Sequence, residues 1–372
     1  MRAPRAALLA LVLLAGLIAP PARPAEVTHA QTAALTQPGC GYDSQVDALL
    51  NDLNQDSYTT WIRQLSGGED VFLSGTAMRI NTRYSISLFD GVSPGFDYLY
   101  SIIRGWYPDA QIEIDEFPAP GHIAPERIWK NLVLTIPGAG AGTAANEVVI
   151  LSAHLDSTSS TPTLNAPGAD DNASGSAALI EAARVLRGKA LPRTLKLIWF
   201  TGEEQWLVGS NAYTQDHPLD NIIGVVNVDM IGYDGDGDRC FEIHAGTLPQ
   251  SNRVGQCFTR AINVYDLDLT YDYLINNATI RSDHAAFWAK GIGAVEVLEN
   301  GSNNPQPNNG CQGLDINPYY HTPNDTLANM HPAYSFAVAK ASIAAAFSLA
   351  SPVELHVFYM PVLLKNDEKP QQ

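Results

Sequence analysis

Apolar residues recur along this chain with two spacings that predict different elements. From Ser44, a candidate helix cap, apolar side chains follow one another at intervals of three and four residues as far as Leu65, and a pair of glycines closes the segment. This spacing predicts one amphipathic helix over residues 44–65. The same pattern predicts a second helix over residues 96–106.

Continuous or alternating apolar runs predict strands in the middle of the chain. The predicted strands are QIEIDEF, WKNLVLTIP, EVVILSAHLDS, LKLIWF and GVVNVDMIGY, in that order. Helical spacing over SGSAALIEAARVLRGK separates the third strand from the fourth, and another helix is expected after TGEE. This alternation predicts an α/β fold, a three-layer sandwich whose mixed, mostly parallel central sheet has helices on both faces. Ligands of such sheets bind beyond the carboxyl ends of the strands.

The two ends of the chain differ from its middle. Residues 1–25 begin with two arginines, continue with an apolar stretch and end in small and proline-rich residues, which is typical of a secretory signal peptide. That stretch is too short for a membrane span, no membrane span is predicted elsewhere, and the protein is expected to be secreted into the extracellular space. Residues 26–42 are polar and small, which predicts a linker. In the tail, residues 353–372, a strand-like VFYMPVLL precedes a charged end, and either an edge strand or an anchoring signal would explain it.

The amino-acid composition and the net charge indicate which class of protein this is and which binding partners are unsuitable. A hydrophobic content of 45% is ordinary for a globular protein. The chain has 22 basic against 39 acidic residues and a formal charge of −17. This charge argues against nucleic acid and anionic membranes as partners.

Four cysteines remain after removal of the signal peptide: Cys40, Cys240, Cys257 and Cys311. An even number in an exported chain predicts two disulfides, for which three connectivities are open. We favour a bond between Cys240 and Cys257. No two of the cysteines form a CxxC pair, so a cysteine-bound zinc site is not expected.

Two adjacent carboxylates, Glu203 and Glu204, follow the predicted strand LKLIWF in the segment TGEEQWLVGS. Like charges this close repel each other, so the pair lowers stability unless something positive binds it. The sequence therefore predicts a bound cation, or a cationic partner, near this strand end.

Other candidate ligands lie in two of the predicted strands. His154 and Asp156 are two positions apart at the end of EVVILSAHLDS, which places both side chains on one side of the strand. Asp156 can then accept the second imidazole N–H of His154, the arrangement that orients a metal-binding ring. Asp229 is a lone carboxylate within the apolar strand GVVNVDMIGY, and a buried carboxylate without a partner is costly.

Two loops add further donors. Asp170 and Asp171 stand in PGADDNASG, where a loop enters a helix and backbone amides stabilise negative charge. His321 lies in the turn-rich segment YYHTPNDT. Each of these elements alone fits an ordinary role, such as a helix cap, a structural hydrogen bond or a loop histidine. Together, oxygen and imidazole donors at five separate strand ends or loops are best explained by bound divalent cations.

The chain resembles the co-catalytic di-zinc aminopeptidases secreted by bacteria, which belong to the zinc-exopeptidase fold group. Six motifs carry the resemblance, over about residues 45–350: AHLDS, PGADDNASGSAAL, TGEEQWLVGS, NVDMIGY, RSDHAAFW and YHTPNDTLAN. The resemblance implies that residues 43–352 form one catalytic domain. It also implies hydrolysis of the amino-terminal residue, with leucine as the expected type, from peptides and proteins.

The resemblance further implies roles for individual side chains. Five of them would hold two Zn²⁺ per chain: His154 and Asp229 at the first ion, Glu204 and His321 at the second, and Asp171 between both. Glu203 would stay uncoordinated and act as the general base, which explains why the strand is followed by two carboxylates. Asp156 would orient His154, and Tyr320, directly before the last histidine, is the candidate for contact with the oxyanion.

The chain departs from the family pattern at two positions. Trp206 stands where many relatives have a small residue, so the loop after the glutamate pair could take another shape. Thr279 stands where some relatives place a tyrosine near the SDH motif, which is why the oxyanion role is assigned to Tyr320. Residues 300–318 are rich in loop-forming residues and are expected to border the pocket.

Three further polar groups are interpreted as structural. Asp283 and His284 are expected to make supporting hydrogen bonds, because the metals already have enough donors. The acidic run DGDGD at residues 234–238 is expected to be a turn between strands. A calcium loop would need a glycine where Arg239 stands and a bidentate glutamate where Ala245 stands.

Other functions remain open from the sequence. A glutaminyl cyclase has the same fold but binds one metal, and a carboxypeptidase would need a basic residue for the substrate carboxylate, for which Arg281 is the one conspicuous candidate. A secreted binding module without activity would be expected to lose its general base, and Glu203 is present. We also expect the protein to be a monomer.

Overall fold

The computed structural model describes residues 40–84, 93–118, 128–301, 311 and 313–352. These residues lie in one compact unit, Pro38–Gln372. The predicted signal peptide, the predicted tail and nearly all of the predicted linker lie outside the described residues.

The first helical segment is two helices rather than the one predicted: α1 (Ser44–Asn51) and α2 (Gln55–Leu65). Asn54 interrupts the helix because its side chain accepts the backbone N–H of Ser57 at 2.9 Å and so caps α2. Asparagine competes in this way for backbone groups, which makes it a better cap than an interior helix residue.

The predicted cap of the first helix is also displaced by one residue. Asp43, not Ser44, caps α1, and its carboxylate accepts the backbone N–H of Gln45 at 2.7 Å. The elements that follow are the hairpin β1 (Val71–Leu73) and β2 (Thr76–Met78) and the helix α3 (Pro94–Trp106). The prediction for α3 is confirmed within two residues.

The central sheet has eight strands among the described residues. They are β3 (Ile112–Pro118), β4 (Ile128–Ile136), β5 (Val148–His154), β6 (Thr194–Phe200), β7 (Ile222–Val228), β8 (Cys240–His244), β9 (Thr270–Leu274) and β10 (Ala294–Glu299). Their order across the sheet is β3-β4-β6-β5-β7-β10-β8-β9. The neighbouring strands β6, β5, β7 and β10 are parallel to one another, and β8 is parallel to β9. The pairings β3-β4, β4-β6 and β10-β8 are antiparallel. All five strands predicted from the sequence are present.

Helices cover both faces of the sheet. The remaining ones are α4 (Gly175–Val185), α5 (Val208–Asp216), α6 (Pro249–Val264), α7 (His284–Trp288) and α8 (Pro332–Ala350). Short 3₁₀ turns cover Asp109–Gln111, Ala144–Asn146 and Leu327–Asn329, and a π turn, Ala169–Ser174, leads into α4.

Alternate residues of the strands separate two apolar layers. Leu151 of β5 contacts the layer formed by α1 to α4, α6 and α8, whereas its neighbour Ile150 contacts the layer formed by α5 and α7. This alternation is the period of two that a strand imposes on its side chains. The predicted three-layer α/β sandwich with a mixed sheet is therefore confirmed.

One helix is long and apolar enough to cross a membrane by length and composition alone. This helix is α8, and 78% of its apolar window is buried inside the fold. It packs against β5, β7 and α6. Its apolar character is thus explained by its position in the core.

The carboxyl ends of β5, β6, β7 and β10 lie at one edge of the sheet because these strands are parallel. His154 is the last residue of β5, and the glutamate pair follows β6 after a two-residue turn. Asp229 was predicted within a strand, but β7 ends one residue earlier, at Val228. The N–H of Asp229 still donates to Val297 O at 3.0 Å, which holds this residue beside β10.

The disulfides connect Cys40 with Cys257 and Cys240 with Cys311, with Cα–Cα distances of 5.3 and 5.4 Å. The favoured bond between Cys240 and Cys257 is therefore wrong. Cys240 begins β8 and Cys257 lies in α6, and each of them meets a residue that is distant in sequence instead. Proximity along the chain did not decide the pairing, because the fold brings remote segments within disulfide distance.

Candidate metal centre

Three donors converge at the end of β5. His154 Nε2 lies 3.0 Å from Asp229 Oδ1 and 3.2 Å from Asp171 Oδ1. The three side chains are buried, and their donor atoms all lie within 4.8 Å of one another. An imidazole with two carboxylates is a donor set that suits zinc.

A second group shares one residue with the first. His321 Nε2 lies 3.1 Å from Asp171 Oδ2 and 3.0 Å from Glu204 Oε2. Asp171 therefore turns one carboxylate oxygen to each histidine. The structure thus brings the five predicted ligands together as two groups that meet at Asp171. We call these five residues the donor cluster: His154, Asp171, Glu204, Asp229 and His321.

The electrostatics of the donor cluster favour a bound cation. Burial raises the pKa of Glu204 to about 8 and that of Glu203 well above its usual range. Burial also opposes ionisation of Asp171, but hydrogen bonds from His154 and His321 hold its pKa below the usual range. Carboxylates that are close together and shielded from water are costly when ionised, and a divalent cation at each group would offset that cost.

An unsatisfied atom supports the same conclusion. Glu204 Oε1 is buried and has no hydrogen-bond partner among the described residues. A buried carboxylate oxygen without a donor is costly, and metal coordination satisfies it. The donor cluster therefore fits two divalent ions by its geometry, its charge and its composition.

Asp156 has a wider role than the one predicted. Its carboxylate lies 3.6 Å from His154 Nδ1, but the backbone oxygen of Asp156 is closer to that nitrogen, at 3.1 Å. The carboxylate also accepts the backbone N–H groups of Glu203 and Glu204, each at 3.2 Å. Asp156 therefore fixes both the orientation of His154 and the turn that carries the glutamate pair.

Glu203 lies beside the donor cluster without belonging to either of its groups. Its Oε2 is 4.0 Å from His154 Nε2, and the side chain lines the cavity over the cluster. Glu204, its neighbour in the chain, points to His321 instead. The two adjacent glutamates thus have different positions: Glu204 belongs to the donor cluster, whereas Glu203 faces the cavity.

The loop that carries Asp171 is held by a residue that the sequence analysis did not single out. Asp325, four residues after His321, accepts the backbone N–H of Asp170 at 2.8 Å and that of Asp171 at 3.0 Å. Asp170 itself points away from the donor cluster, and its carboxylate accepts a hydrogen bond from Asn317 Nδ2 at 2.6 Å. The motif YHTPNDTLAN contains Asp325, so the available signal was the one acidic residue of a motif already noted.

Several residues around the donor cluster have a left-handed backbone. Trp206, Leu207, Met230 and His321 have φ angles between 49° and 75°. Such conformations cost about 1–3 kcal/mol for a non-glycine residue and concentrate at functional sites. Trp206, one of the departures from the family pattern, is also 85% exposed.

A cavity of about 610 Å³ opens over the donor cluster. Asp171, Glu203, Asp229, Tyr320 and His321 contribute to its wall, together with the apolar side chains Met230, Leu298 and Ile316 and the polar side chains Asn277, Thr279 and Arg281. Ile316 and Asn317 belong to the segment that was expected to border the pocket, and they do line it. Ile231, next to Met230 in the chain, and Phe287 of α7 are buried in the core and do not line the cavity.

Tyr320 lies at the rim of this cavity. Its ring stacks on His321, with centroids 3.7 Å apart, and it is 48% exposed. Burial of the hydroxyl raises the pKa of Tyr320, so the phenol remains a hydrogen-bond donor at neutral pH. This position is compatible with the predicted contact with substrate.

The other polar groups lie outside the donor cluster. Asp283 and His284 are fully buried at the start of α7, and His284 Nε2 is 2.9 Å from Thr279 O. The run 234–238 is a turn between β7 and β8, in which the backbone N–H groups of Gly235 and Asp236 donate to Asp315. Carboxylates of Asp234, Asp236 and Asp315 also lie within 4.8 Å of one another.

Comparison with known proteins gives three kinds of match, the first of which is to curated relatives. A protein named probable leucine aminopeptidase from Arthroderma otae is 31% identical over 216 residues, which are 54% of this chain and 52% of that protein. Leucine aminopeptidase 1 of Trichophyton equinum is 29% identical over 219 residues, with the same two coverages of 54% and 52%. The chain therefore spans about half the length of the curated relatives it matches.

Solved structures share the fold. The LapA aminopeptidase of Legionella pneumophila is 22% identical with a TM-score of 0.61, and the match covers 84% of this chain and 76% of that one. A glutaminyl cyclase of an Acidobacteriales bacterium is 20% identical with a TM-score of 0.58, covering 80% of this chain and 95% of that one. Both similarities concern the fold alone.

A sequence profile described as Peptidase family M28 matches residues 131–346, which begin in β4 and end in α8. This span is more than half of the chain and contains all five residues of the donor cluster. The resemblance noted in the sequence is thereby confirmed at the level of the family. The protein belongs to peptidase family M28.

Proposed function

We propose that this protein is a secreted zinc aminopeptidase that removes the amino-terminal residue from peptides and proteins. One observation carries the proposal: Asp171 lies between His154 and His321, with one oxygen about 3 Å from each imidazole, at 3.2 and 3.1 Å. This is the geometry expected of a carboxylate that bridges two metal ions.

The donor cluster would hold two zinc ions. His154 and Asp229 would bind the first, Glu204 and His321 the second, and Asp171 both. When bound, the ions supply Lewis acidity, which lowers the pKa of water and stabilises negative charge on an attacked carbonyl.

Glu203 would act as the general base and then as the general acid. Its carboxylate faces the cavity near His154 and is not part of either metal group. Burial raises its pKa, which matches a group that must take up a proton from water and release it to the departing amine. Tyr320, as a phenol donor at the rim, would hydrogen-bond the carbonyl oxygen of the scissile peptide.

The cavity supports an exopeptidase that acts on amino termini. Its wall combines the acidic side chains of the site with the apolar side chains of Met230, Leu298 and Ile316. A protonated or free α-amine would be attracted to the acidic end, whereas the apolar residues suit a side chain such as that of leucine. The relatives named leucine aminopeptidase agree with this choice.

Secretion is part of the proposal. It is supported by the pattern of residues 1–25 and by the two disulfides, which form and persist in oxidising compartments. Peptide and protein amino termini would be the partners, and we propose a monomer as the active form.

The proposal is tested with leucine p-nitroanilide, with N-acetyl-leucine p-nitroanilide as the control that lacks a free amine. Purified protein should release the chromophore from the first compound and not from the second, and a chelator should abolish release until zinc is restored. Cyclisation of an amino-terminal glutamine without chromophore release would instead identify a glutaminyl cyclase. Release from the acetylated compound would also contradict the proposal.

A further inference from the structure

Arg83 is a buried arginine whose guanidinium binds backbone carbonyl groups. Its Nε donates to Leu155 O at 2.7 Å, its Nη1 donates to Leu65 O at 2.7 Å and to Pro167 O at 2.6 Å, and its Nη2 donates to Gly168 O at 2.7 Å. The residue is only 5% exposed. One side chain thus connects three separate segments of the chain.

Two of these segments carry the donor cluster. Leu155 stands between His154, a member of the cluster, and Asp156, which fixes the glutamate turn. Gly168 lies three residues before Asp171, the carboxylate common to both metal groups. Arg83 therefore links the end of β5 to the loop that presents Asp171. The third segment, at Leu65, anchors this linkage to the end of α2.

The backbone around Arg83 reinforces the same linkage. The N–H of Arg83 donates to Ser157 Oγ at 3.2 Å, and Ser157 Oγ donates to Ala166 O at 2.8 Å. The N–H of Ala166 donates to Asn81 O at 3.0 Å. Residues 81–83 therefore join the loop after β5 to the loop before Asp171 through the main chain as well as through the guanidinium.

Two glycines allow the backbone to approach the Arg83 side chain closely. Gly168 has a left-handed φ of 52°, and a Cβ added there would overlap both Asp171 O and Arg83 Nη2. Gly95, at the start of α3, lies against the aliphatic part of Arg83, where an added Cβ would stand 3.0 Å from Cγ. Arg83 is thus packed on both its polar and its apolar parts.

The charge of Arg83 acts in the same direction. Burial lowers its pKa to about 10, while the carboxylates of Asp325, Asp171, Asp156 and Glu204 raise it, so the guanidinium stays charged at neutral pH. Among the described residues, no carboxylate lies within ion-pair distance of it, and its hydrogen bonds go to carbonyl oxygens instead. A planar guanidinium with five donors is suited to collecting several carbonyls, which a lysine ammonium cannot do in one plane.

We propose that Arg83 is a positioning residue of the metal centre: it holds the loops of His154 and Asp171 at the separation that two bound zinc ions require. The inference rests on the proposed function in that it assumes metal binding by the donor cluster. Arg83 lies outside residues 131–346, so it is not part of the segment that identifies the family.

The test compares zinc affinity, not only activity, in Arg83→Lys, Arg83→Gln and wild-type protein. Zinc dissociation constants are measured by competition with a chromophoric chelator. Because residues that support metal ligands typically contribute about 10–100-fold to metal affinity, we expect Arg83→Gln to weaken the tighter zinc site by at least about tenfold. Arg83→Lys should show an intermediate loss, since it keeps the charge but not the planar set of donors.

A matched control separates positioning from general stability. Arg193 is also a buried arginine that donates to a backbone carbonyl, Leu349 O at 2.6 Å, but it precedes β6 at the end of the sheet opposite the site. Arg193→Gln should lower the unfolding temperature without changing zinc affinity. If Arg83→Gln does not fold, the Arg83→Lys result decides, and each variant's unfolding temperature is recorded beside its zinc affinity.

The outcomes are distinct. The proposal would be overturned if the zinc affinity of every Arg83 variant that folds, Arg83→Lys included, stays within threefold of the wild-type affinity. It would also be overturned if Arg193→Gln loses as much zinc affinity as the Arg83 variants. Wild-type protein that binds zinc but does not hydrolyse leucine p-nitroanilide would defeat the proposed function and leave this test intact. Wild-type protein that binds no zinc would overturn both.

Discussion

Asp156 and Glu203 are joined through the backbone: Asp156 Oδ1 accepts the N–H of Glu203 at 3.2 Å. The same carboxylate, through Oδ2, accepts the N–H of Glu204. The end of β5 and the turn after β6 are therefore connected by one side chain. This connection places the proposed base relative to His154, and it makes the position of Glu203 dependent on a residue that never needs to touch substrate.

The first prediction concerns this connection. Asp156→Asn should lower kcat by about 10–100-fold. The carboxylate accepts the N–H groups of Glu203 and Glu204 with two charged oxygens, whereas an amide has one uncharged acceptor oxygen. The side chains of Glu203 and Glu204 should then lose their fixed position. Steady-state kinetics on leucine p-nitroanilide, with zinc content measured in the same samples, check this. Unchanged kcat at full zinc content would show that the turn holds its shape without Asp156.

The second prediction concerns the base. Glu203→Gln should reduce kcat by about 10²–10⁴-fold, the range of general acid–base catalysis. Zinc content should not change, since Glu203 is outside both metal groups. Glu116→Gln, at an exposed glutamate that pairs with Lys130 on the outer strands, is the matched control and should keep full activity. A loss of less than about tenfold in Glu203→Gln would exclude this residue as the base.

The third prediction concerns the disulfides. Peptide mapping without reduction should yield peptides linked through Cys40 and Cys257 and through Cys240 and Cys311. Removing the first bond by Cys40→Ala with Cys257→Ala should lower the free energy of unfolding by about 2–5 kcal/mol, measured by urea denaturation. A peptide linking Cys240 to Cys257 would contradict the fold described around β8 and α6.

The fourth prediction concerns stability and pH at the edge of the sheet. Burial, followed by the carboxylate of Glu242 on the neighbouring strand, raises the pKa of Asp272 to about 6. Asp272 Oδ1 is buried without a hydrogen-bond partner among the described residues. A carboxyl group whose pKa is higher in the folded state favours folding while it is protonated, and this contribution is lost as pH rises from about 4 to about 6.

Asp272→Asn should therefore raise the free energy of unfolding more at pH 7 than at pH 4. Urea denaturation at both pH values checks the difference between variant and wild type. Asp220→Asn, at an exposed position, is the control and should show no such difference. Equal effects of Asp272→Asn at the two pH values would contradict the pKa shift.

Much of the fold could be predicted because periodicity is a local property. Continuous or alternating apolar runs predict the five strands, helical spacing predicts α3, and the alternation of strands with helices predicts the mixed, mostly parallel sheet. The break between α1 and α2 was missed because the apolar spacing continues through Asn54, while the capping hydrogen bond that ends the helix depends on one side chain. The two disulfides were predicted from the number of cysteines, but the favoured bond between Cys240 and Cys257 is wrong, since the pairing depends on which remote segments meet.

The donor cluster was predictable for a chemical reason. A buried carboxylate such as Asp229 is costly in an apolar segment unless it binds something, so its presence there was a signal, and the oxygen and imidazole donors at other strand ends and loops strengthened it. The residues that hold them carry no such signal. Asp325 and Arg83 are ordinary residue types for irregular segments, and only the structure connects them to the backbone of the site.

In the proposed metal centre, two cations would lie on either side of the Asp171 carboxylate. An anomalous difference map, collected at the zinc absorption edge from crystals of the zinc-loaded protein, tests it directly. Two peaks are expected, one beside His154 and Asp229 and the other beside Glu204 and His321, both in contact with Asp171. A single peak, or none at Asp171, would contradict it.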